Sequence, residues 1–383
     1  MILLYASLIL VVGLWATLLS ISNRKVMEKL KKNVPLTEKS LVSVAIPVRN
    51  EEHCIEACVS SLIEQTYGNI EILILDDNST DNTASEVHKL QDRDPRVRVI
   101  RGKALKQGWR GKLYAMQQLY ENSKGEYILF TDADTVHNPN SVEYGLGIII
   151  NEHASMVSGY PKQKGKHLWV QTLVSAMLFN TVLYVPLWLQ QKMQLATFSM
   201  AIGQYLFLKR TFLEDIDGFT SLPNVICDDV ILARTCTRTA HKYVFADMKD
   251  ALSCQMFSTF KGGFEGLERS ITGVLTFKAY MVPLMVLVAS VLLACAVAPL
   301  ATVAMLIAVL IDPALSELPF LLMAGGTLLL FGSWTATGLY HGFPLKVAIQ
   351  GPIAFVFVVA MYLHGYYRKV SGKGFMWKGR TIS

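Results

Sequence analysis

The sequence contains no Cys-x-x-Cys pair, and its six cysteines, at 54, 58, 227, 236, 254 and 295, are scattered. Cys54 and Cys58 would fall one turn apart on a helix, but no histidine is spaced to join them around zinc. Reduced, structural thiols in a cytoplasmic domain are the expectation. His137, His153, His167 and His241 show no i, i+4 pairing and read as structural or solvent-facing. A Walker phosphate loop is missing, and nothing resembles a base-reading module, so the modest net charge of +6 does not point to nucleic acid. The first twenty residues carry no charge, no basic cluster precedes them and no small-residue cleavage site follows, which argues against a cleaved signal peptide and for a retained anchor.

Apolar residues are abundant, and their segregation says where they go. Of 383 residues 52% are hydrophobic, too many for an ordinary soluble protein and enough for one domain plus several membrane spans. Residues 1–22 read as a transmembrane anchor. Arg24, Lys25, Lys29, Lys31 and Lys32 follow it, and the positive-inside rule then puts the next domain, 40–275, in the cytoplasm. Tyr280 to Ile311, Leu318 to Tyr340 and Leu345 to Tyr367 form an apolar C-terminal region, 280–367. Asp312 and Glu317 suit its outer face, and His341 and Lys346 its inner one. The tail 368–383, with Arg368, Lys369, Lys373, Lys378 and Arg380 and no acid, is expected to be cytoplasmic, so one of the three stretches would be re-entrant or interfacial. Lys162, Lys164 and Lys166 precede another uncharged run, 168–190, interrupted by Gln171, Ser175, Asn180 and Pro186. A full span there would strand the following loop across the bilayer, so an interfacial helix is expected, able to line a path for a lipid acceptor. Such basic flanks favour an anionic lipid surface. Trp169, Trp188, Tyr340, Tyr366, Tyr367 and Trp377 suit interface anchors.

Within 40–275, Leu41 to Pro47, Ile70 to Asp76, Val97 to Arg101 and Glu126 to Thr131 read as short buried strands. Between them Glu52 to Gln65 and Lys112 to Asn122 have helical periodicity. This alternation predicts a parallel sheet with helices on both faces, whose ligands bind beyond the carboxyl ends of the strands. The motifs lie at those ends. Asp132-Ala133-Asp134 follows the apolar run Tyr127 to Phe130, and two carboxylates one residue apart can share a divalent cation and present it to a diphosphate; short acidic pairs also cap turns. Pro47-Val48-Arg49-Asn50-Glu51-Glu52 and Asp76-Asp77-Asn78-Ser79-Thr80-Asp81 offer amide and carboxylate groups to a uracil edge and ribose hydroxyls, although Ser79 or Thr80 also suits a helix N-cap. Gly108-Trp109-Arg110-Gly111-Lys112 brings free backbone N–H groups and two cations to the start of a helix, or is simply a surface turn. Cys227-Asp228-Asp229 leads into an apolar helix, where a carboxylate can take the proton of an attacking hydroxyl or cap the helix.

In this order and spacing, the segments PVRNEE, DDNSTD, GWRGK, DAD and DDVILA resemble the family-2 glycosyltransferases over about residues 41 to 275. GWRGK, AIGQYLFLKR at 201–210 and the terminal FMWKGR are most similar to membrane enzymes that glycosylate lipids, such as the ceramide glucosyltransferases and the carotenoid and hopanoid-associated glycosyltransferases. The resemblance implies an α/β fold, the Rossmann-like GT-A domain, joined to transmembrane helices. It implies that Pro47, Arg49, Asn50, Glu51, Asp77, Lys112 and Asp132 bind the nucleotide sugar, with Asp77 reading the base. Asp134, with Asp132, would hold Mg²⁺ or Mn²⁺, and Asp229 would be the catalytic base. Gly203, Gln204, Asp228 and Arg269 would lie on the acceptor side. Arg269 sits in Gly266-Leu267-Glu268-Arg269-Ser270, which lacks the glutamine and tryptophan of the Gln-x-x-Arg-Trp motif that processive synthases use to hold a growing chain.

The expectation is therefore an integral membrane enzyme that moves one sugar, with inversion, from a nucleotide donor, UDP-linked, to a hydroxyl of a lipid. A processive polysaccharide synthase is the alternative within the class, separable by product length. A non-catalytic nucleotide-sugar or lipid-binding subunit is the alternative outside it, separable by metal-dependent hydrolysis of UDP-sugar.

Overall fold

In the computed structural model, which describes residues 1–30, 39–178, 185–222, 224–225, 227–274, 282–372, 375–377 and 380–382, the four runs expected to be strands, near 41–47, 70–76, 97–101 and 126–131, are strands. Lys31, Lys32, Asn180, Tyr280, Lys373 and Lys378 lie outside the described residues. The chain divides into two units, one of residues 26–164 and 188–256, the other of residues 1–25, 165–187 and 257–383.

The first unit is built on an eight-stranded sheet: β1 (Val42–Val48), β2 (Ile70–Asp76), β3 (Val97–Arg101), β4 (Tyr127–Phe130), β5 (Thr135–His137), β6 (Met156–Gln163), β7 (Leu206–Lys209) and β8 (Tyr243–Cys254), in the order β3-β2-β1-β4-β7-β6-β8-β5. Strands β1 to β4 are parallel, as the alternation predicts. The remainder corrects that prediction, because β7 runs antiparallel between β4 and β6, and β5 antiparallel beside β8. The sheet is mixed. Helices α2 (Ile55–Ile63), α3 (Thr83–Arg93) and α5 (Ser141–Asn151) share one core with the even residues Val42, Val44, Ile46 and Val48 of β1. Alternate residues point to the other face, where α4 (Gly111–Asn122) lies against β1 and β2 and Phe130 meets Phe219 edge to face at 5.4 Å. Helices thus cover both faces, and each fully buried aliphatic side chain contributes roughly 1.5–3 kcal/mol. The carboxyl ends of β1, β2 and β4 open at one edge, and there the chain carries its polar loops.

The second unit is helical. It contains most of α1 (Ile2–Leu30), together with α6 (Leu168–Leu178). The segment 168–190 is not the single helix expected: Val185 and Pro186 are not helical, and a separate α7 (Leu187–Met193) follows. Proline lacks the N–H a helix needs and pushes the preceding residue toward extended backbone. Two short helices complete the sheet unit, α8 (Arg210–Asp215) and α9 (Asp228–Arg238). The helical unit continues with α10 (Phe260–Val274), α11 (Val282–Ile311), α12 (Leu318–Tyr340), α13 (Leu345–Ala348) and α14 (Gly351–Val370), and ends in a small antiparallel pair, Phe375–Trp377 with Arg380–Ile382. Residues 165–187 and 257–274, placed by the sequence pattern in the domain 40–275, therefore group with the apolar helices.

Among the described residues three helical segments are long and apolar enough to cross a membrane, Ile2–Leu30, Leu284–Ile311 and Leu318–Tyr340. Gly13 and Gly326 let α1 and α12 touch, since a Cβ on Gly326 would sit 2.5 Å from the Leu10 nitrogen. Thr17 Oγ1 donates to the Leu329 carbonyl at 3.1 Å beside them, the small-residue contact typical of helices in lipid. The fully buried Glu268 of α10 is paired with His364 of α14 at 2.6 Å, and Arg368 stands 3.9 Å from its other oxygen. A buried carboxylate needs such partners. Trp169 and Trp188 are about half exposed, as anchors would be. The side chain of Trp377 lies outside the described residues.

Candidate active site

The loops after β1 and β2 are stitched together before any ligand arrives. The Thr80 N–H donates to Asn50 Oδ1 at 2.8 Å, and the Asn50 N–H to Ser79 Oγ at 3.0 Å. The Glu51 N–H donates to Thr83 Oγ1 at 2.8 Å, and the Asn82 N–H to Glu52 Oε2 at 2.9 Å. Asn50 and Asn78 both have φ of 54°, a left-handed conformation that asparagine tolerates better than most residues. Arg49 Nη1 donates to the Asp77 carbonyl at 2.5 Å and lies 3.9 Å from the Asp77 carboxylate, which is nearly buried. Pro47 lies beside Leu75 in the ladder below. Ser79 and Thr80 do not cap α3, whose N-cap is Asn82. Their polar groups serve the joint between the loops, and Asn50 shares that work.

Two residues beyond β4, Asp132 accepts a 2.7 Å salt bridge from Lys112 in the first turn of α4. Across from them lies Gly203, in the turn before β7. A Cβ added to Gly203 would stand 3.3 Å from Lys112 Nζ, 3.6 Å from Asp229 Oδ2 and 3.8 Å from Asp132 Oδ2. Three side chains from distant parts of the sequence therefore converge on the space beside Gly203, where even a Cβ would crowd the lysine. Asp228 and Asp229 occupy the first turn of α9, where negative charge suits the helix dipole, and the N-cap is Cys227 rather than either acid. The Val230 N–H donates to Asp229 Oδ1 at 2.8 Å, which aims the other oxygen at Gly203.

The electrostatics follow from crowding. Burial, then Asp132 and Glu51, push the Asp134 carboxyl up from its ordinary 3.8 to about 7, against the opposing pull of Lys112. Burial and then Asp228 push Asp229 up to about 7, with the Val230 N–H and Lys112 opposing. Burial works against the Lys112 charge, but Asp132, Asp228 and Asp229 outweigh it and hold the ammonium firmly protonated. Among the described residues no group of three or more His, Cys, Asp or Glu side chains is placed to hold a metal by itself. Asp132 and Asp134 are the available pair. Magnesium-type ions are commonly held by one or two carboxylates plus substrate phosphates, and a cation would relieve the repulsion that raises Asp134. The donor set fits a metal that arrives with a diphosphate.

All the predicted site residues but Arg269 belong to the sheet unit; Arg269 lies on α10, in the helical unit. Gln204 is 5% exposed, and among the described residues its Oε1 has no hydrogen-bond partner. The histidines behave as expected: His137 is buried, kept neutral by burial that lowers it to about 3, and His241 pairs with Asp215 at 3.0 Å. Cys58, Cys227, Cys236, Cys254 and Cys295 are buried and Cys54 is half-buried, and among the described residues none of them is in a disulfide. Sequence reasoning missed Thr131, whose hydroxyl donates to the Gln204 carbonyl at 2.8 Å. No local signal betrays a bond across 73 residues.

Residues 43–217 match the model of the family described as glycosyl transferase family 2. Over 119 residues the chain is 33% identical to a UDP-Glc:alpha-D-GlcNAc-diphosphoundecaprenol beta-1,3-glucosyltransferase, WfgD, of Escherichia coli, covering 31% of this chain and 45% of that one. Over 130 residues it is 34% identical to a hyaluronan synthase of Pasteurella multocida, covering 33% of this chain and 13% of that one. The match thus spans less than half the length of either relative. A mannosyltransferase of Pyrobaculum calidifontis, solved in complex with GDP-Man and Mn²⁺, superposes over 97% of this chain and all of its own with a TM-score of 0.55 at 16% identity. That likeness establishes the fold, a mixed Rossmann-like α/β sheet of the GT-A type.

Proposed function

We propose that this chain, which carries a family-2 glycosyltransferase domain over residues 43–217, is a membrane enzyme that transfers one sugar, with inversion, from a UDP-linked donor to a hydroxyl of a lipid. The observation that carries the reading is the convergence of Lys112, Asp132 and Asp229 within 4 Å of one point beside Gly203. A donor-side cation and carboxylate and an acceptor-side carboxylate share one space, which a displacement at a sugar carbon requires. The joined loops around Asn50 and Asp77 would hold the nucleotide. Asp132 and Asp134 would bind Mg²⁺ or Mn²⁺ with the diphosphate, and the metal would supply Lewis-acid neutralisation of the departing charge. Lys112 adds fixed positive charge at the same place. Asp229, poised near neutrality, takes the proton of the acceptor hydroxyl as it attacks from the opposite face, so the anomeric configuration inverts in one step.

The three apolar helices support membrane residence, and the basic residues Arg24, Lys25 and Lys29 in the C-terminal part of α1 support a cytoplasmic catalytic domain after it, with the 368–383 tail on the same side. The named activity of the WfgD relative, whose acceptor is a diphosphoundecaprenol, favours a lipid-linked acceptor. Processive synthesis is the competing mode, favoured by the likeness to hyaluronan synthase and opposed by the altered surroundings of Arg269. Mass analysis of lipids from cells with and without the gene tests the reading. A lipid bearing one additional hexose in the presence of the gene supports it; a ladder of oligomers selects the synthase, and an unchanged lipid profile removes the transfer reading.

A further inference from the structure

Beneath the acidic triplet lies a buried polar chain that the reaction as described does not use. Thr131, 1% exposed, donates through Oγ1 to the Gln204 carbonyl at 2.8 Å and meets His137 Nε2 at 3.0 Å. The other ring nitrogen of His137 meets Ser141 Oγ at 3.0 Å, and its backbone N–H donates to Ser61 Oγ at 3.0 Å. Ser141 Oγ lies 3.0 Å from Gln65 Oε1, and Gln65 Nε2 donates to the Asn138 carbonyl at 2.8 Å. Every side chain in this chain is buried. Its place in the sheet gives it a use. The β4·β7 ladder ends at the pair Phe130 and Leu206, and beyond that pair backbone hydrogen bonds no longer set the separation of the two segments. Thr131 and Gln204 lie just past the end, one residue from Asp132 on one side and one from Gly203 on the other.

We propose that Thr131, oriented by His137, is a positioning residue that sets the spacing between the Asp132-Ala133-Asp134 triplet and the Gly203 turn, and so between donor and acceptor. A threonine hydroxyl has one proton and rotates freely unless something occupies its lone pairs. With Nε2–H of the neutral imidazole donating to Oγ1, the single Thr131 hydroxyl proton is directed to Gln204; the Ser141 hydroxyl then turns its one proton to Nδ1 rather than to Gln65 Oε1, which keeps the Val142 N–H at 3.1 Å. This inference rests on the glycosyltransfer reading, and its consequence is one of geometry. Misplacement of reacting groups by about 1 Å can cost on the order of a hundredfold in rate while leaving each partner bound.

The test compares Thr131→Val, which keeps the shape and removes the hydroxyl, with Thr131→Ser, which restores it, and His137→Leu with His137→Gln, whose amide reaches the Nε2 position. The full chain in detergent is assayed for UDP release from UDP-glucose with a total lipid extract as acceptor, for UDP binding by calorimetry with Mn²⁺, and for melting temperature. Thr131→Val is expected to lose about ten- to a hundredfold in kcat, with UDP affinity within about threefold of wild type, as only the approach of donor to acceptor is disturbed. Thr131→Ser returns to within about threefold of the wild-type rate, and His137→Gln retains more activity than His137→Leu. A wild-type kcat in Thr131→Val overturns the proposal, as does a Thr131→Ser no better than Thr131→Val. Loss of UDP affinity and melting temperature in step with kcat also overturns it, as the mark of a purely structural residue. Asp134→Ala in the same assay is the separate control: if it turns over like wild type, the glycosyltransfer reading fails whatever Thr131 does.

Discussion

Replacing Asp229 with asparagine tests catalysis and folding together, and the two should move in opposite directions. Asparagine keeps an oxygen to accept the 2.8 Å hydrogen bond from the Val230 N–H, so the start of α9 survives the change. The carboxylate is lost as a base, and a positioned general base typically contributes about 10²–10⁴-fold; kcat should fall by that amount with donor affinity nearly unchanged. In wild type, the rate should climb with pH through about 7, because Asp229 acts only when ionised and burial, then Asp228, have raised it there. The variant should lack that limb. Stability runs the other way. A carboxyl that titrates at 3.8 when unfolded and about 7 when folded holds its proton more tightly in the native state. The penalty for ionising it is absent below about pH 4, grows as pH rises to about 7, and is constant above. At ~1.4 kcal/mol per unit the ceiling is roughly 4 kcal/mol, and screening at a partly exposed oxygen reduces this to about 2 kcal/mol. Asp229→Asn should therefore melt several degrees higher than wild type at pH 8 and at the same temperature at pH 4. A variant that keeps full activity with saturating donor, or that melts lower at pH 8 than at pH 4 relative to wild type, would refute the reasoning.

Asp134→Ala should weaken both UDP binding and turnover, and chelation of divalent ions should abolish activity that Mn²⁺ or Mg²⁺ restores; activity in excess chelator would remove the metal from the scheme. Gly203→Val should cost about tenfold or more in kcat, because even one Cβ would stand 3.3 Å from Lys112 Nζ and a branched side chain would part Lys112 from Asp132; wild-type kinetics would mean the reaction happens elsewhere. Asn50→Ala should lower stability by about 1–2 kcal/mol, since it removes the hydrogen bond to the solvent-exposed Thr80 N–H and puts alanine at positive φ. Denaturant unfolding of the isolated change, against Ser79→Ala for comparison, measures it.

The parallel half of the sheet was legible because β1, β2 and β4 are largely apolar runs, each ending in polar residues, as burial on both faces requires, and the edge strand β3, Val97-Arg98-Val99-Ile100-Arg101, still carries β-branched residues in a short run. The motifs at their ends were legible for the same reason, since a buried strand can release its polar residues only at its tip. The antiparallel half was not. β7 is only four residues long and β5 only three, too short for a period to register, and their partners lie tens of residues away. The segment 168–190 was misread as one helix because its apolar content outweighed Pro186, whose effect on the backbone is local and stronger. Asn50, Ser79 and Thr80 looked like ligand-binding or capping groups, and composition alone does not reveal that they bond to one another.

What the amino-acid order decided by itself is the class of chemistry: acidic groups at strand tips, a lysine at a helix start, and stretches too apolar to stay in water. Each follows from local pattern, and local pattern survives without coordinates. Folding decided which of those groups meet. Lys112, Asp132, Gly203 and Asp229 are separated by 20, 71 and 26 residues in the sequence, and only strand pairing and helix docking bring them within 4 Å of one point. The raised carboxyls, the opening that glycine leaves and the Thr131 hydrogen bond are consequences of that proximity, and proximity across a fold is a property of packing.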